Sequence, residues 1–258
     1  MDEFNERLRN YSAGRVLDFG TGEGASVLAI IDAVKDYHEV IGVDTVNPQR
    51  KLAEGLLKNP RFRYLQHDGF PLPFESSHFD TVSMSHVVHH LPPDLRLTAL
   101  RELMRVLKPG GVFLFLEGYR DGQSGARKTQ TYWHSLRAVM EREDGLHHYL
   151  TLMRAELVAM INSLGFHDCE MFDFLQMRED FKDESNIQNI AKFMDQDIET
   201  RRHLKRYEQY RRMVGLLKRR LARTGYLRAK ALVAICHKKT SIIPEGVPGD
   251  YLTSKREA

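Results

Sequence analysis

Residues 16–25 read VLDFGTGEGA, a short apolar run ending in an acid, then glycine at every second position, then the first residues of an apolar periodic stretch. Few structures satisfy that order, and the one that fits is strand, tight glycine turn and helix, the βα unit that binds nucleotides. Gly20, Gly22 and Ala25 also meet the dinucleotide spacing G-x-G-x-x-A, so the turn alone does not select its ligand. Charge discriminates further. A pyrophosphate at the helix N-terminus needs N–H donors and positive potential, whereas Asp18 and Glu23 put two carboxylates beside that spot. The turn therefore suits a ligand that carries positive charge and no phosphate.

A second acid follows at a useful distance. IGVD ends in Asp44, twenty residues past Gly24, where a carboxylate can accept from both ribose hydroxyls. Next come a strand to Asp68, a Pro-punctuated loop, and a further strand opened by Phe79 and Asp80. The ordered pieces DFGTGEG, Asp44, HDGFPLPF, FDTVSMSHVVHHL and LRELMRVLKPGGVFLFLE resemble the class I methyltransferases dependent on S-adenosylmethionine (SAM). The likeness is to the small-molecule, methyltransferase type 11 branch, which includes the ubiquinone-pathway C-methyltransferases; it is good over 14–118 and loose over 150–240. It implies an α/β fold: a Rossmann-like seven-stranded sheet, mostly parallel with the last strand antiparallel, carrying helical insertions. SAM, with cationic sulfonium and ammonium groups, suits the acidic turn, and S-adenosylhomocysteine is the implied product. By this resemblance Asp18 lies near the ammonium, while Gly20, Thr21, Gly22 and Gly24 let the backbone approach the methionine and ribose. Asp44 with Thr45 would hold the ribose, Asp68 with Gly69 the adenine amine, and Ser85 and His86 would line the methionine side where the acceptor enters.

At 258 residues and 42% hydrophobic content, one α/β domain with insertions is the expectation, over 1–240 with a tail at 241–258. A net charge of +3 does not by itself argue for nucleic acid. The N-terminus MDEFNERLRN is polar, with no apolar signal core, and no apolar run reaches membrane-spanning length. Cys169 and Cys236 lie in separate strand-like runs with no CxxC spacing, so neither a disulfide nor a zinc framework is expected, and a reducing, cytoplasmic location is the default.

Periodicity places the remaining elements. Val27, Ile30, Ile31 and Val34 mark one buried helix face; Leu52, Leu56 and Leu57 suggest a second helix; Leu100, Leu103, Met104 and Leu107 give a third, stopped by KPGG; Leu157, Met160, Ile161 and Leu164 give a fourth before Gly165. Strands are predicted at 15–19, 39–43, 63–66, 81–85 and 112–116.

Two stretches exceed the minimal fold. Residues 119–150 carry Tyr132, the sole tryptophan Trp133, and His134, His147 and His148; the family resemblance implies a lid or acceptor cap there. Residues 178–224 read as a helix pair, with Ile187, Ile190, Ala191, Met194 and Ile198 in its first half. Its second half, 201–223, sets Leu204, Tyr207, Tyr210, Val214, Leu217 and Leu221 in one stripe among basic residues. Such a helix could track phosphates or lie on anionic lipid. The structural reading, with the stripe buried in this chain or in a homodimer through 178–224, is favoured because the acidic half at 179–199 can neutralise the basic one.

His86, His89 and His90 have helical spacing, but nothing near them in sequence completes a tetrahedral set, so no metal is expected. His86 and His134 are the candidate catalytic bases. Methyl transfer itself asks mainly for in-line geometry, with a base where an O or N nucleophile must lose a proton. There is no [DNS]PP[YFW] motif after the fourth strand and no Pro-Cys pair, so a small-molecule or lipid-like acceptor is favoured. An RNA methyltransferase using 201–223 and a SAM-binding protein without turnover are the alternatives.

Overall fold

The computed structural model describes residues 2–46, 54–175 and 181–240. The expected helix start at Leu52 and the tail at 241–258 lie outside them.

In chain order the elements are α1 (Asp2–Leu8), β1 (Arg15–Phe19), α2 (Ala25–Ala33), β2 (Glu39–Asp44), α3 (Glu54–Leu57), β3 (Phe62–Gln66), β4 (Phe79–Ser85), α4 (Arg96–Val106), β5 (Leu107–Gly118), α5 (Gly125–Glu143), α6 (Arg154–Asn162), β6 (Asp168–Phe174), α7 (Glu184–Glu199), α8 (Tyr207–Thr224) and β7 (Ala231–His237). The seven strands form one sheet in the order β3-β2-β1-β4-β5-β7-β6. β1 to β5 pair in parallel, while β7 runs antiparallel to both β5 and β6. The strand order reverses between β1 and β4, and the crevice beyond the carboxyl ends of the strands at such a reversal is where open α/β sheets bind ligands.

The periodic leucines become one of the two faces of this sandwich. Leu100 and Leu103 of α4 and Leu157 and Ile161 of α6 pack on Phe79, Val82, Met84 and Phe113, each leucine contributing about 1.5–3 kcal/mol by leaving water. On the other face α1 and α2 bring Leu8, Ile30 and Ala33 to Leu114, Val233 and Ile235. The KPGG stop is real, since Leu107 leaves the helix with extended backbone. The strand nevertheless begins earlier than predicted. Leu107 already pairs with Phe79, and a register shift follows before Thr81 meets Val112.

Two further expectations change and one is met. The helix predicted over 201–223 begins only at Tyr207; Arg201 turns inward, ion-paired to Asp197 at 2.6 Å and Glu141 at 2.9 Å, and the chain bends there. Its apolar stripe is buried within the chain, as the favoured reading has it. Leu204, Tyr210, Val214, Leu217 and Leu221 form a second core with Met194 and Ile198 of α7 and Trp133, Leu136 and Met140 of α5. The cysteines do not stay apart either: Cys169 and Cys236 are register partners on β6 and β7, where their sulfurs meet as a disulfide. Sequence spacing carries no information on which residues two distant strands bring face to face. No helix of the described residues is long and apolar enough to cross a membrane.

Candidate active site

The turn between β1 and α2 is held from beneath and left open above. Gly20 and Thr21 donate their N–H groups to the Val43 carbonyl at 2.8 and 3.1 Å, and the Thr21 hydroxyl donates to the Asp18 carbonyl at 2.8 Å. Gly20 has φ +76°, and a Cβ there would come within 2.2 Å of the Val87 side chain, so only glycine lets the turn lie on the segment after β4. At Gly22, φ +52°, a Cβ would meet nothing within 4 Å, so this backbone faces open space. The Gly22 N–H donates to the Asp44 carboxylate at 2.8 Å. The acid predicted for the ribose therefore shares one wall with the glycine turn. That arrangement fits an adenosine ligand laid across the strand ends, with Thr45 exposed at its rim. The His67 N–H donates to the Asp44 carbonyl at 3.0 Å, which sets exposed Asp68 and Gly69 beside the same edge.

Asp18 is fully buried and accepts from Ser83 at 2.5 Å and Ser26 at 2.9 Å. Burial pushes its pKa up, against the opposing pull of these hydroxyls. Ser26, Ser83 and Ser85 line a cleft of about 80 Å³ whose other walls are apolar, among them Phe4, Ile30, Leu116 and Phe174. The serine hydroxyls thus stand between the buried Asp18 carboxylate and the otherwise apolar cleft.

The chain then makes an unusual turn. His86 has φ +56° at the end of β4, the left-handed region that side chains other than glycine rarely adopt, and its N–H donates to the Leu116 carbonyl at 2.8 Å. Its exposed ring stands 3.8 Å from Glu117, a carboxylate the sequence reading missed. Glu117 is fully buried and accepts from the Val88 N–H at 2.9 Å and from His89 Nδ1 at 2.8 Å. Burial opposes its charge, but the His89 and His86 rings hold its carboxyl well below the usual range.

Of the three adjacent rings Tyr132, Trp133 and His134, one faces the turn after β4. Trp133 turns away to the second core and Tyr132 is exposed, stacked under Lys128 and Arg220. His134 alone faces inward, edge-on to His89 with ring centroids 4.9 Å apart, and its Nε2 lies 3.2 Å from that of His148. Burial, with His89 and His148 adding to it, lowers the His134 pKa to about 3, so the ring is neutral but a weak base. His148 is buried and bonded through Nδ1 to Glu141 at 2.5 Å. Although burial works against it, that bond together with Arg137 and Arg201 holds Glu141 at about 2. No sequence spacing signals this group, because residues 89, 134 and 148 come from three separate elements. Some basic residues of α8 and its approach are paired, Arg206 with Glu143, Arg211 with Glu208 and Lys218 with Asp195.

Residues 17–115 match the family model for a methyltransferase domain. The chain carries a methyltransferase domain. It spans β1 through most of β5 and so contains the glycine turn, Asp44 and His86, whereas the α5–α7–α8 cap lies beyond the match. Over 115 residues the chain is 30% identical to a demethylmenaquinone methyltransferase of Lactococcus lactis, covering 43% of this chain and 45% of that protein. A longer match, 175 residues at 29% identity, is to the O-methyltransferase rstn1 of Aspergillus nomiae, covering 66% of this chain and 72% of the relative. The chain thus spans less than half the length of the demethylmenaquinone methyltransferase that it matches. Among solved structures the YcgJ protein of Bacillus subtilis superposes with a TM-score of 0.55 at 19% identity, covering 92% of this chain and 97% of that one. That likeness shares the methyltransferase fold across sheet and cap together.

Proposed function

We propose that the protein transfers the methyl group of SAM to a small, largely apolar acceptor. The observation that carries this reading is the Gly22 N–H bonded to Asp44, an acid able to accept from ribose hydroxyls beside an open glycine turn. When bound, SAM supplies an already activated methyl group, so the protein's task is placement. Asp44 accepts from the ribose hydroxyls, Asp18 faces the ammonium through the Ser26 and Ser83 end of the cleft, and Asp68 and Gly69 border the adenine edge. Ser85 and His86 stand where the acceptor arrives. His86 is the residue placed to take a proton from an O or N nucleophile, being exposed at the strand end and steadied by Glu117. The apolar cleft walls and the names of the relatives, a demethylmenaquinone methyltransferase and an O-methyltransferase, support a small molecule rather than a nucleic acid.

Calorimetry with SAM, S-adenosylhomocysteine and NAD tests the cofactor, and labelled methyl transfer to a panel of quinols and phenols, with tRNA beside them, tests the acceptor. Binding of the first two and not NAD is expected, with label on the small molecules. Label recovered on tRNA, with binding that falls steeply with salt, would overturn the acceptor assignment.

A further inference from the structure

The ligand atoms of His89, His134 and His148 all lie within 4.8 Å of one another. His89 sits in the 3-10 turn after β4, His134 on α5 and His148 on the segment that returns from it. We propose that these three imidazoles form a binding site for one divalent transition-metal ion of the zinc type, between the methyltransferase sheet and its helical cap.

Hydrogen bonding fixes the rings in the form a metal needs. An ionised carboxylate can only accept, so His89 Nδ1 must donate to Glu117, at 2.8 Å, and His148 Nδ1 to Glu141, at 2.5 Å. That leaves both Nε2 lone pairs for the interior of the cluster. Carboxylate–histidine pairs of this kind orient metal-bound imidazoles and raise their basicity. The carboxylates are anchored in turn, Glu117 by the Val88 and Gly118 N–H groups at 2.9 and 3.0 Å, and Glu141 by Arg137 and Arg201 at 2.6 and 2.9 Å. His148 Nε2 and His134 Nε2 are 3.2 Å apart. Two nitrogens bound tetrahedrally to zinc at about 2.05 Å stand about 3.3 Å apart, so this edge already has the spacing of a filled site. The Tyr149 N–H donates to the His89 carbonyl at 2.7 Å, which ties the segment that carries His148 to the turn that carries His89.

The donor set selects the ion. Three neutral nitrogens suit zinc and its transition-metal neighbours, whereas magnesium and calcium require oxygen. Three protein ligands also leave a fourth position open, as in metal sites that bind a further ligand. His89 lies four residues beyond Ser85, which lines the cleft, and that proximity in the chain sets the metal site near the end of the sheet taken as the acceptor side. This placement rests on the methyltransferase reading; the metal site itself does not.

The full-length chain, stripped with chelator, is titrated with Co²⁺ alone. One equivalent should bind with the intense visible bands of a tetrahedral ion, and Zn²⁺ should displace it. His134→Gln should weaken Co²⁺ binding at least 100-fold, and Glu141→Gln about 10- to 100-fold, the range for removing a partner that orients a ligand. His147→Gln, altering an exposed neighbour, should change nothing. S-adenosylhomocysteine calorimetry on each variant shows whether it is folded, independently of metal. Absence of a stoichiometric tetrahedral signal in the wild-type chain overturns the proposal whatever the variants do, as does unaltered binding in a folded His134→Gln. Failure of the wild-type protein to bind S-adenosylhomocysteine would instead remove the methyltransferase reading and leave the Co²⁺ result standing.

Discussion

Asp44 and Asp18 are two acids at one ligand edge with opposite surroundings. Asp44 is half-buried at the strand end and accepts from the Gly22 N–H at 2.8 Å, with the Val46 N–H at 3.3 Å and the Thr45 hydroxyl at 3.5 Å on its other oxygen, so on the proposed reading Asp44→Ala removes both the ribose acceptor and a tie that shapes the turn. Loss of charged hydrogen bonds of this kind costs about 1–3 kcal/mol, and SAM affinity measured by calorimetry should fall about 5- to 150-fold. An unchanged affinity would remove Asp44 from the ribose site. Asp18 is fully buried, and burial raises its pKa. In the folded protein it takes up a proton at a higher pH than in the unfolded chain, so it costs stability above that raised pKa and the cost is relieved as pH falls. Cofactor binding should move the other way. Acidification neutralises the carboxylate that faces the ammonium, so SAM affinity should decline as pH falls through the raised pKa. Asp18→Asn should be weaker throughout and show a flatter profile in the same titration; parallel profiles for the two proteins would show that Asp18 does not meet the cation.

At the scale of elements, the second core explains why α8 is both basic and apolar. Leu217 is buried among Trp133, Met194 and Val214, whereas Arg219 on the same helix is exposed. Leu217→Asp puts an unpaired carboxylate into that core, a penalty of several kcal/mol, and should lower the melting temperature sharply. Arg219→Glu should stay within about 0.5 kcal/mol of the parent. Equal melting curves for the two would mean that the stripe packs on nothing. These helices were legible in the sequence because a stripe such as Leu204, Tyr210, Val214, Leu217 repeats locally, and so was the glycine turn, whose conformation needs glycine at Gly20 and Gly22. The bend at Arg201 was not, since it depends on Glu141, sixty residues earlier. The facing of Cys169 with Cys236 and the meeting of His89, His134 and His148 escaped for the same reason. Each is set by how distant elements pack, and Glu117, the acid that organises the His86–His89 turn, looked like the ordinary end of a strand.

The molecule as a whole is a sheet sandwich with its own core and a helical cap with another, and a few buried charges join them. Glu141 is central to that joint. It leaves α5 to meet Arg201 beyond the end of α7, Arg137 on its own helix, and His148, which reaches back toward the His89 turn of the sheet. Arg201 and Glu141 are both nearly enclosed, so their attraction is little screened, and removing one partner leaves the other charged in a poor solvent. Breaking a buried pair in this way costs about 3–5 kcal/mol. The exposed pair of Arg202 and Glu199 one residue along, with side chains 73% and 43% accessible, is worth about 0–1 kcal/mol. Glu141→Ala should therefore destabilise the metal-free protein in urea far more than Arg202→Ala, since it breaks the enclosed contacts to Arg137, Arg201 and His148 whereas Arg202→Ala removes one exposed pair. S-adenosylhomocysteine affinity should differ little between them, because the Gly20–Gly24 turn is anchored to Val43 and Asp44 on the sheet. If Glu141→Ala unfolds no earlier than Arg202→Ala, the cap is held to the sheet by its apolar packing alone and the buried charges contribute orientation without stability.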